Sequence, residues 1–378
     1  MKIERVRITG FKNLKQLQLE LGNGVNGFWG ENGQGKSNLL EALYVSVKGE
    51  SFRPYSHRSD WLPDDGSSLS VHLECRDDVG IPYHCEMFHD APSQSWVWRL
   101  NDKKARVLSL AEKIPIVVFS PDDHALIREG PDHRRSFLDS VLVDVCPGYA
   151  EVLGRFEKTL KSRNRLLKQF QREEVSEFTA EMDSWSRTLA VEAEGVALLR
   201  TEVWPRFEGY FRDVAGPLFE ALSGSVGLVF EQDSVEKGQV FNKSKYYQIL
   251  KDEFRKDLAT GWTHRGPQRD DFRTELGGID ARSKASQGQA RLLALSLKWT
   301  HALWVSLERR EIPLFLIDDF SNELDILRRK KLLEMLGQIS GQILITGTDS
   351  NTILTANFTQ ARHFSVKRGK ISPADFYA

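Results

Sequence analysis

The stretch GENGQGKSNLLEALY, residues 30–44, decides how the rest of the chain is interpreted. Its fixed positions Gly30, Gly35, Lys36 and Ser37 match the phosphate-binding pattern G-x-x-x-x-G-K-[ST]. Glycine allows backbone angles that other residues resist, so the loop can turn its N–H groups towards a triphosphate. Leucines then recur at helical spacing, and the N-terminus of a helix favours an anion. The stretch therefore predicts a nucleotide-binding loop followed by a helix.

The residues before the loop support this interpretation. The alternating segment LKQLQLELG and the short stretch GVNGF indicate a strand that enters the loop. Lys36 would reach the β- and γ-phosphates of ATP, and Ser37 would bind Mg²⁺. A chance glycine-rich turn is the alternative, which the combination of strand, fixed positions and helix disfavours. The loop residues expected to contact the nucleotide are Gly30, Glu31, Asn32, Gly33, Gln34, Gly35, Lys36, Ser37 and Asn38.

The composition of the 378 residues is that of an ordinary soluble globular protein, with 40% hydrophobic and 28% charged residues. The formal net charge is −1, so any nucleic-acid binding must come from a local patch. No apolar run approaches the length of a membrane span, and we expect no membrane partner. The three cysteines, Cys75, Cys85 and Cys146, suit a reducing cytoplasm. Cys75 and Cys85 with nearby histidines match no standard zinc spacing, and hairpin strands are the favoured interpretation.

A second part of the nucleotide site follows far along the chain. IPLFLIDDF, residues 312–320, is an apolar strand that ends in two carboxylates, which is the Walker B pattern. Asp318 would hold Mg²⁺, directly or through water, and Asp319 would orient the attacking water or accept its proton. Acidic residues also end ordinary strands, but the phosphate loop favours the functional interpretation. The predicted catalytic residues are therefore Lys36, Asp318 and Asp319.

Shortly before this strand, Ser286, Gly288 and Gln289 belong to the stretch SQGQ, which opens a long helix rich in leucine and alanine. A serine is a natural N-cap, and the first N–H groups of a helix form an anion site. A second phosphate site in one chain makes sense if it faces the γ-phosphate bound by a partner subunit. This is the ABC signature, and it predicts a two-fold homodimer with ATP between the subunits.

Four further features bear on the site. Ser321 to Asp325, SNELD, resembles the D-loop that crosses such a dimer, and Thr346 to Thr348 follows a buried strand where a γ-phosphate sensor is expected. Residue 347 is glycine, which leaves the sensor unassigned. The stretch VVFSPDD lacks the glutamine of a Q-loop, and Trp29 is bulky for the residue before the loop.

The order of these patterns predicts an α/β fold, a P-loop ABC-type ATPase head with an inserted, mostly helical arm domain. The head comprises residues 1–120 and 265–378, and the arm comprises residues 121–264. Apolar residues recur at helical spacing from about Tyr149 to Arg200. The stretch IPIVVFSP predicts a buried strand.

The chain also resembles a known family. The motifs that carry the resemblance span most of the chain: ITGFKNL, GENGQGKSNLLEALY, SFR, VFSPDDHALIREGPDHRRSFLD, KSRNRLLKQ, HRGPQRDDF, SQGQARLLALSLK and LIDDFSNELD. They are similar to those of RecF, a bacterial recombination-mediator ATPase related to the heads of SMC and Rad50 proteins. The motifs in the middle are the specific ones, because generic ABC ATPases lack them.

The resemblance implies a role in DNA repair. RecF-like proteins bind ATP, form a homodimer, hold double-stranded DNA near single-strand gaps, and work with RecR and RecO to load RecA. Their ATP hydrolysis is slow and helps to release DNA. The resemblance also implies a cytoplasmic, nucleoid-associated location, and it places Lys12, Asn13 and Arg53 close to the nucleotide.

Charge points to where DNA would bind. Residues 155–172 carry seven lysines and arginines and one acidic residue. Such side chains bind the DNA backbone with little sequence preference, and Lys161, Arg163, Arg165 and Lys168 are the candidate contacts. The plainer interpretation is a solvated helix face, balanced by the acidic stretch that follows.

Three other functions remain as alternatives. An ABC-type ATPase subunit with a non-DNA partner, such as a transporter ATPase, would lack the basic helix and would carry a switch histidine. A long-armed SMC or Rad50 protein needs hundreds of residues of heptads. A nuclease needs further clustered carboxylates, and the sequence shows no convincing cluster with the spacing of metal ligands.

Overall fold

The computed structural model describes residues 1–54, 56–63, 68–219, 225–235, 239–319, 341–348 and 361–374. The chain forms two units, one of Met1–Asp123 with His301–Ala378 and one of His124–Thr300. The first junction is close to the one the sequence predicted, at residue 120. The second differs, because residues 265–300 belong to the second unit rather than to the head.

The strands and helices follow from the local sequence patterns. The strands in chain order are β1 (Lys2–Phe11), β2 (Leu14–Glu20), β3 (Val25–Trp29), β4 (Ser70–Arg76), β5 (Pro82–Asp90), β6 (Ser95–Leu100), β7 (Lys103–Lys104), β8 (Ile116–Phe119), β9 (Val226–Glu231), β10 (Asp271–Leu276), β11 (Ile279–Asp280), β12 (Leu314–Ile317), β13 (Ile343–Gly347), β14 (Arg362–Lys367) and β15 (Lys370–Pro373). The helices are α1 (Lys36–Lys48), α2 (Val107–Lys113), α3 (Ala125–Arg128), α4 (Pro131–Val145), α5 (Tyr149–Arg172), α6 (Ala180–Phe219), α7 (Lys243–Asp252), α8 (Phe254–Thr260), α9 (Ala281–Lys284) and α10 (Gln287–Arg309).

The first unit contains two sheets. An antiparallel sheet has the strand order β2-β1-β4-β5-β6-β7, and a mostly parallel sheet has the order β15-β14-β3-β13-β12-β8. In the parallel sheet, β3, β8, β12 and β13 are buried along their whole length, as sheets covered on both faces require. Since β3 and β12 end in the phosphate loop and the two carboxylates, the sheet brings both halves of the predicted site to one edge.

The core of this unit is built around α1. Its apolar residues belong to one hydrophobic cluster with side chains of both sheets, including Ile3, Val6 and Ile8 of β1. The alternation of charged and apolar residues in β1 thus matches a strand with one buried face. The rings of Phe28 and Phe364 stack with centroids 4.9 Å apart and fix β3 against β14.

The second unit is mostly helical and contains a small sheet of order β11-β10-β9. Residues 265–300 fall in this unit because β10 pairs with β9, where Phe272 lies opposite Phe230. Helix α6 runs further than the helical pattern predicted, to Phe219, in spite of Pro205 and Pro217 within it. The helix predicted from Tyr149 is confirmed, and α4 precedes it with Pro131 in its first turn.

Buried ion pairs hold this second unit together. Arg134 donates to both carboxylate oxygens of Asp271, at 2.9 and 2.7 Å. Arg200 donates to Asp270 at 2.9 Å and to Asp139 at 2.7 Å. Except for Arg200, these residues lie in the motifs DHRRSFLD and HRGPQRDDF, so both motifs carry structural contacts. Burial raises the pKa of Asp270 to about 6.

Two of the three cysteines lie on neighbouring strands of the antiparallel sheet. Cys75 of β4 and Cys85 of β5 are buried in the predicted hairpin, and the hydrogen bond with Cys85, together with burial, raises the pKa of the Cys75 thiol. The described ranges contain no cluster of three histidines, cysteines or carboxylates that could hold a metal ion. They also contain no helix long and apolar enough to cross a bilayer.

Candidate nucleotide-binding site

The loop between β3 and α1 adopts backbone angles that only glycine reaches easily. Gly33 and Gly35 have φ values of +77° and +106°. A side chain on Gly35 would meet Asn13 Oδ1 at 2.7 Å, and one on Gly30 would collide with the carbonyl oxygen of Val366. A Cβ on Gly33 would meet nothing within 4 Å, so this part of the loop faces open space. The loop is therefore a preformed turn.

Lys36 begins α1 and turns its side chain back over the loop. Its Nζ donates to the carbonyl oxygens of Gly30 at 2.6 Å and Glu31 at 2.8 Å. Burial lowers the pKa of the Lys36 ammonium, whereas the charges of Asp319 and Asp318 raise it. An ammonium has three N–H donors, and two fixed carbonyl acceptors leave one donor for a phosphate oxygen.

Asp318 lies at the end of β12 and is nearly buried. Its Oδ1 accepts a hydrogen bond of 2.7 Å from the hydroxyl of Thr346 on the neighbouring strand β13. Burial raises the pKa of the Asp318 carboxyl, while hydrogen bonds from Ser37 and Thr346 and the charge of Arg53 lower it. Ser37 and Asp318 are thus brought together, and their hard oxygen donors suit Mg²⁺.

Asp319 has a left-handed backbone, with φ of +49°. Its N–H donates to the Thr346 hydroxyl at 2.9 Å, which links it to Asp318 through one side chain. Thr346 is fully buried, and these two hydrogen bonds join β13 to the two residues that follow β12. The sequence had pointed to residues 346–348 as a sensor, and the structure gives Thr346 a role in positioning the carboxylates.

Glu41 is a central residue that the sequence interpretation missed. It is fully buried in α1, and its Oε2 pairs with Lys12 Nζ at 2.6 Å and Arg53 Nη1 at 3.1 Å. Ser51 and Ser56 donate to its Oε1. The sequence could have identified Glu41, because it lies among the apolar residues of α1. A buried carboxylate needs charged or polar partners.

Two of the family-implied residues therefore meet at Glu41. Arg53 also donates to Asn38 Oδ1 at 3.1 Å, and its Nη2 lies 4.0 Å from Asp318 Oδ2. Arg53 thus connects α1 to the end of β12. Lys12 donates to Glu41 and, at 3.1 Å, to Ser56.

Asn13 braces the loop from the other side. Its Nδ2 donates to the Gln34 carbonyl at 3.3 Å, and its Oδ1 accepts from Asn38 at 2.9 Å. The Gln34 carbonyl also accepts from Gly369 N at 2.8 Å, and the Gln34 side chain accepts from Arg368 N at 2.7 Å. The carbonyl oxygen of Gln34 therefore accepts two hydrogen bonds from within the protein.

Trp29 fits before the loop because β3 leaves room for it. A Cβ on Gly27 would meet the Trp29 ring at 2.6 Å. The indole Nε1 donates to His363 Nδ1 at 3.0 Å, and burial lowers the pKa of this histidine. Trp29 is therefore part of the core rather than of the open face of the loop.

The second unit carries the stretch SQGQ at the start of α10. The Ser286 hydroxyl accepts from Gln289 N at 3.2 Å, and Gln289 Oε1 accepts from Ser286 N at 2.8 Å. This reciprocal pair is a capping box, so the predicted N-cap is present. The Ser286 hydroxyl acts as an acceptor there and keeps its own proton to donate.

Basic side chains surround this helix start, which the sequence interpretation did not anticipate. A cavity of ≈ 320 Å³ is lined by His124, Arg128, Gln287, Ala290 and Arg291. Arg128 is fixed by a hydrogen bond to the carbonyl oxygen of Ala285. The two guanidinium groups and the helix N-terminus make this surface favourable to an anion.

One predicted DNA contact is wrong. Arg163 is fully buried, with Nη1 2.8 Å from Asp257 Oδ2 and 2.6 Å from Thr263 Oγ1. A side chain without exposed surface cannot reach a phosphate. The sequence could have predicted this burial, because helical spacing places Arg163 on the face of α5 that holds Phe156 and Phe170.

The other basic residues of α5 lie on a different face. Lys161 and Arg165 are exposed, and Lys168 is half-buried. With two further exposed residues they recur at i, i+3, i+7, i+10 and i+14, which is one side of a helix. We call this set the α5 stripe: Lys158, Lys161, Arg165, Lys168 and Arg172.

The predicted D-loop, residues 321–325, lies outside the described residues. The remaining geometry defines a class of protein. A phosphate loop at the end of a central parallel strand, an acidic pair at the end of its second neighbour and a signature helix are the parts of an ABC-type ATPase head.

Comparison with known proteins identifies the family within this class. The AAA ATPase domain family matches residues 1–103. The DNA replication and repair protein RecF of Halothermothrix orenii is 31% identical over 379 residues, covering 98% of this chain and 99% of that protein. RecF of Shewanella pealeana is 28% identical over 378 residues, with the same coverage. The chain belongs to the RecF family.

Solved structures agree with this assignment. A structure of the recombination mediator protein RecF with ATP, in the RecFOR pathway, has a TM-score of 0.87 and 27% identity, and the match covers 99% of this chain and 97% of that one. An Smc head domain from Pyrococcus furiosus has a TM-score of 0.54 at 16% identity, which shows a shared fold alone. The chain is thus an ABC-type ATPase that binds ATP.

Proposed function

We propose that this protein forms an ATP-dependent dimer that holds double-stranded DNA beside a single-strand gap. There it works with RecR and RecO and helps to load RecA, in the cytoplasm at the nucleoid. The observation that carries the proposal is that one chain has two anion sites. One is the loop before α1, and the other is the capped start of α10, with Arg128 and Arg291 beside it.

In a two-fold dimer, an anion site of each kind, one from each subunit, can bind the same ATP molecule. In a dimer, the loop of one subunit binds the triphosphate, and the α10 start of the other subunit closes on the γ-phosphate. Ser286 can donate its hydroxyl proton to a phosphate oxygen while it still accepts from Gln289 N. Gly288 has no side chain that could cover the first N–H groups of α10. ATP would then stabilise the dimer by mass action.

Within one subunit, each polar side chain has a defined task. Lys36 is positioned by two carbonyls, and its third N–H would be shared between oxygens of the β- and γ-phosphates. Mg²⁺ would be held by Ser37 and Asp318 and would neutralise charge on the phosphates. Asp319, whose N–H is fixed by Thr346, orients the attacking water. The nucleotide contacts of Lys12, Asn13 and Arg53 remain proposals, and their positions beside the loop and α1 support them.

DNA is bound by the α5 stripe. Its exposed cations contact phosphates without reading the sequence, which suits a protein that recognises a DNA structure. Closure of the dimer would bring two such stripes to one DNA molecule and raise the effective concentration of the second contact. Hydrolysis of ATP reopens the dimer and releases the DNA.

The proposal is tested by measuring the mass in solution with light scattering. The protein is studied with ATP, with ADP and without nucleotide, each with and without a gapped duplex. We expect twice the monomer mass with ATP alone, retention of the DNA by that dimer, and loss of both with Lys36→Ala. A monomer under every condition contradicts the dimer mechanism. A dimer that ignores DNA would favour an ABC-type ATPase with a non-DNA partner.

A further inference from the structure

We propose that the indole of Trp262 stacks on an unpaired nucleobase at the end of the duplex held by the α5 stripe. This rests on the proposed function, because it needs DNA to lie along α5. Trp262 would contact a base of single-stranded DNA, whereas the α5 stripe binds the phosphates of any DNA backbone.

The exposure of Trp262 is the first observation. Its exposed fraction is 52%, while Trp29, Trp61, Trp98 and Trp304 have 6% or less. A large aromatic surface in water is unfavourable unless something covers it. Every base has a π-face, so an exposed indole can stack on a base of any sequence.

The position of Trp262 is the second observation. Lys168 of the α5 stripe has its Nζ 3.6 Å from the centroid of the indole. This ammonium covers part of the ring and places the aromatic surface beside the cations of α5. A phosphate near Lys168 would therefore bring its neighbouring nucleotide close to Trp262. Proteins that bind single-stranded nucleic acid combine cations with exposed aromatic rings in this way.

The rigidity of the loop that carries Trp262 is the third observation. Gly261, with φ of +75°, ends α8, and a side chain there would meet Gln171 Oε1 at 2.9 Å. After Trp262, the N–H and hydroxyl of Thr263 donate to Asn164 Oδ1 at 2.9 and 2.7 Å. His264 N donates to Asp257 at 3.0 Å.

Buried contacts thus fix the chain on both sides of Trp262. The same Thr263 hydroxyl accepts from the buried Arg163, which explains why this arginine lies inside the unit. A side chain on a rigid stretch of backbone loses less conformational entropy when it binds a ligand. A tryptophan on a mobile loop would not carry this advantage.

A purely structural role is the alternative, in which Trp262 only pairs with Lys168 to hold the α8 loop on α5. The two roles predict different results for substitutions that keep the apolar surface but change the ring. Trp262→Phe keeps an aromatic face, and Trp262→Leu keeps an apolar side chain without one. Val240→Ala removes apolar surface from a residue of the same unit that is 67% exposed, and it serves as the matched control.

The experiment compares two labelled DNA molecules of equal length, one fully paired and one with a single-strand gap. A 2-aminopurine base occupies the first unpaired position, because stacking quenches its fluorescence. We expect Trp262→Leu to weaken binding of the gapped DNA by at least about 5-fold and to abolish the quenching. Binding of the paired DNA should change less than about 2-fold, and Trp262→Phe and Val240→Ala should behave like the wild type.

The outcomes separate this inference from the proposed function. If the wild type binds neither DNA, the proposed function fails and the inference falls with it. If the wild type binds both and Trp262→Leu binds the gapped DNA equally well with intact quenching, only the inference is overturned. Thermal unfolding of each variant identifies misfolding. If Trp262→Leu is unstable, the quenching of 2-aminopurine by the wild type decides, because a structural role without stacking predicts no quenching.

Discussion

Arg163 and Asp257 form an ion pair of 2.8 Å between Nη1 and Oδ2, and both side chains are buried. Arg163 also donates to Ser186 Oγ at 3.1 Å and to the carbonyl oxygen of Leu250 at 3.3 Å. These contacts join α5, α6, α7 and α8. The guanidinium therefore holds four segments of the second unit together, and its charge is compensated there.

Arg163→Ala should lower the free energy of unfolding by about 3–5 kcal/mol, because it leaves the buried carboxylate of Asp257 without its cation. Chemical denaturation of the whole chain measures this change. Arg187→Ala is the matched control, since it breaks an exposed ion pair with Asp183 of the same length, 2.8 Å, and should cost less than about 1 kcal/mol. Equal effects of the two substitutions would contradict the structural role of Arg163.

The double substitution of Lys161 and Arg165 by Ala should weaken duplex binding and flatten its salt dependence. If both side chains contact phosphates, the slope of log K against log salt should fall by about 1.8. Fluorescence anisotropy at several salt concentrations measures the slope. Arg155→Ala removes an exposed cation from the same helix that is already paired with Glu151 and Glu192, and its slope should stay near that of the wild type. An unchanged slope in the double variant would exclude the α5 stripe.

The sequence predicted the nucleotide loop well because all the information is local. The loop, Lys36 and Ser37 are contiguous, and β3 and α1 follow from their own patterns of apolar residues. The Walker B strand was also predictable, since four buried apolar residues before two carboxylates leave few other interpretations. Parallel pairing of β13 with β3 and with β12 then completes the edge.

The partners of buried charges could not be predicted in the same way. Glu41 binds residues from two distant segments, and nothing in the sequence near it names Lys12 or Arg53. Arg163 was assigned to DNA from charge alone, although its helical position already marked the apolar face. The end of the inserted unit was misplaced because the pairing of β10 with β9 joins strands separated by two helices.

Thr346→Val should lower the rate of ATP hydrolysis by about 10-fold while ATP still binds, because one hydroxyl positions both Asp318 and Asp319. Valine has the same shape but cannot form either hydrogen bond, and the loss should also cost about 1–3 kcal/mol of stability. Steady-state hydrolysis and nucleotide titration separate the two effects. Thr346→Ser keeps the hydroxyl and should restore most of the rate. A Val variant with the wild-type rate would show that this hydroxyl has no positioning role.

Glu41→Gln should lower the free energy of unfolding by about 2–4 kcal/mol, because Lys12 and Arg53 then lack their shared carboxylate. ATP affinity should fall as well, since Arg53 loses the contact that holds it beside Asp318. Denaturation and nucleotide titration measure both. Glu20→Gln, which neutralises the exposed partner of Arg5, should change neither. If Glu41→Gln and Arg53→Ala have additive effects on ATP affinity, the two residues do not act together.

Ser286→Arg should leave ATP binding intact and abolish the ATP-dependent dimer, because the new side chain would fill the surface that closes on the partner's γ-phosphate. The substitution also removes one half of the capping box at α10, which alone costs about 0.5–2 kcal/mol. Asn242→Ala controls for this cost. Asn242 caps α7 in the same unit by accepting from Ser244 N and Lys245 N, and its loss should weaken the fold without affecting the dimer. Nucleotide titration and light scattering with ATP measure the two properties. A Ser286→Arg protein that still dimerises with ATP would reduce SQGQ to a helix cap, and the loop would then bind its triphosphate without a partner.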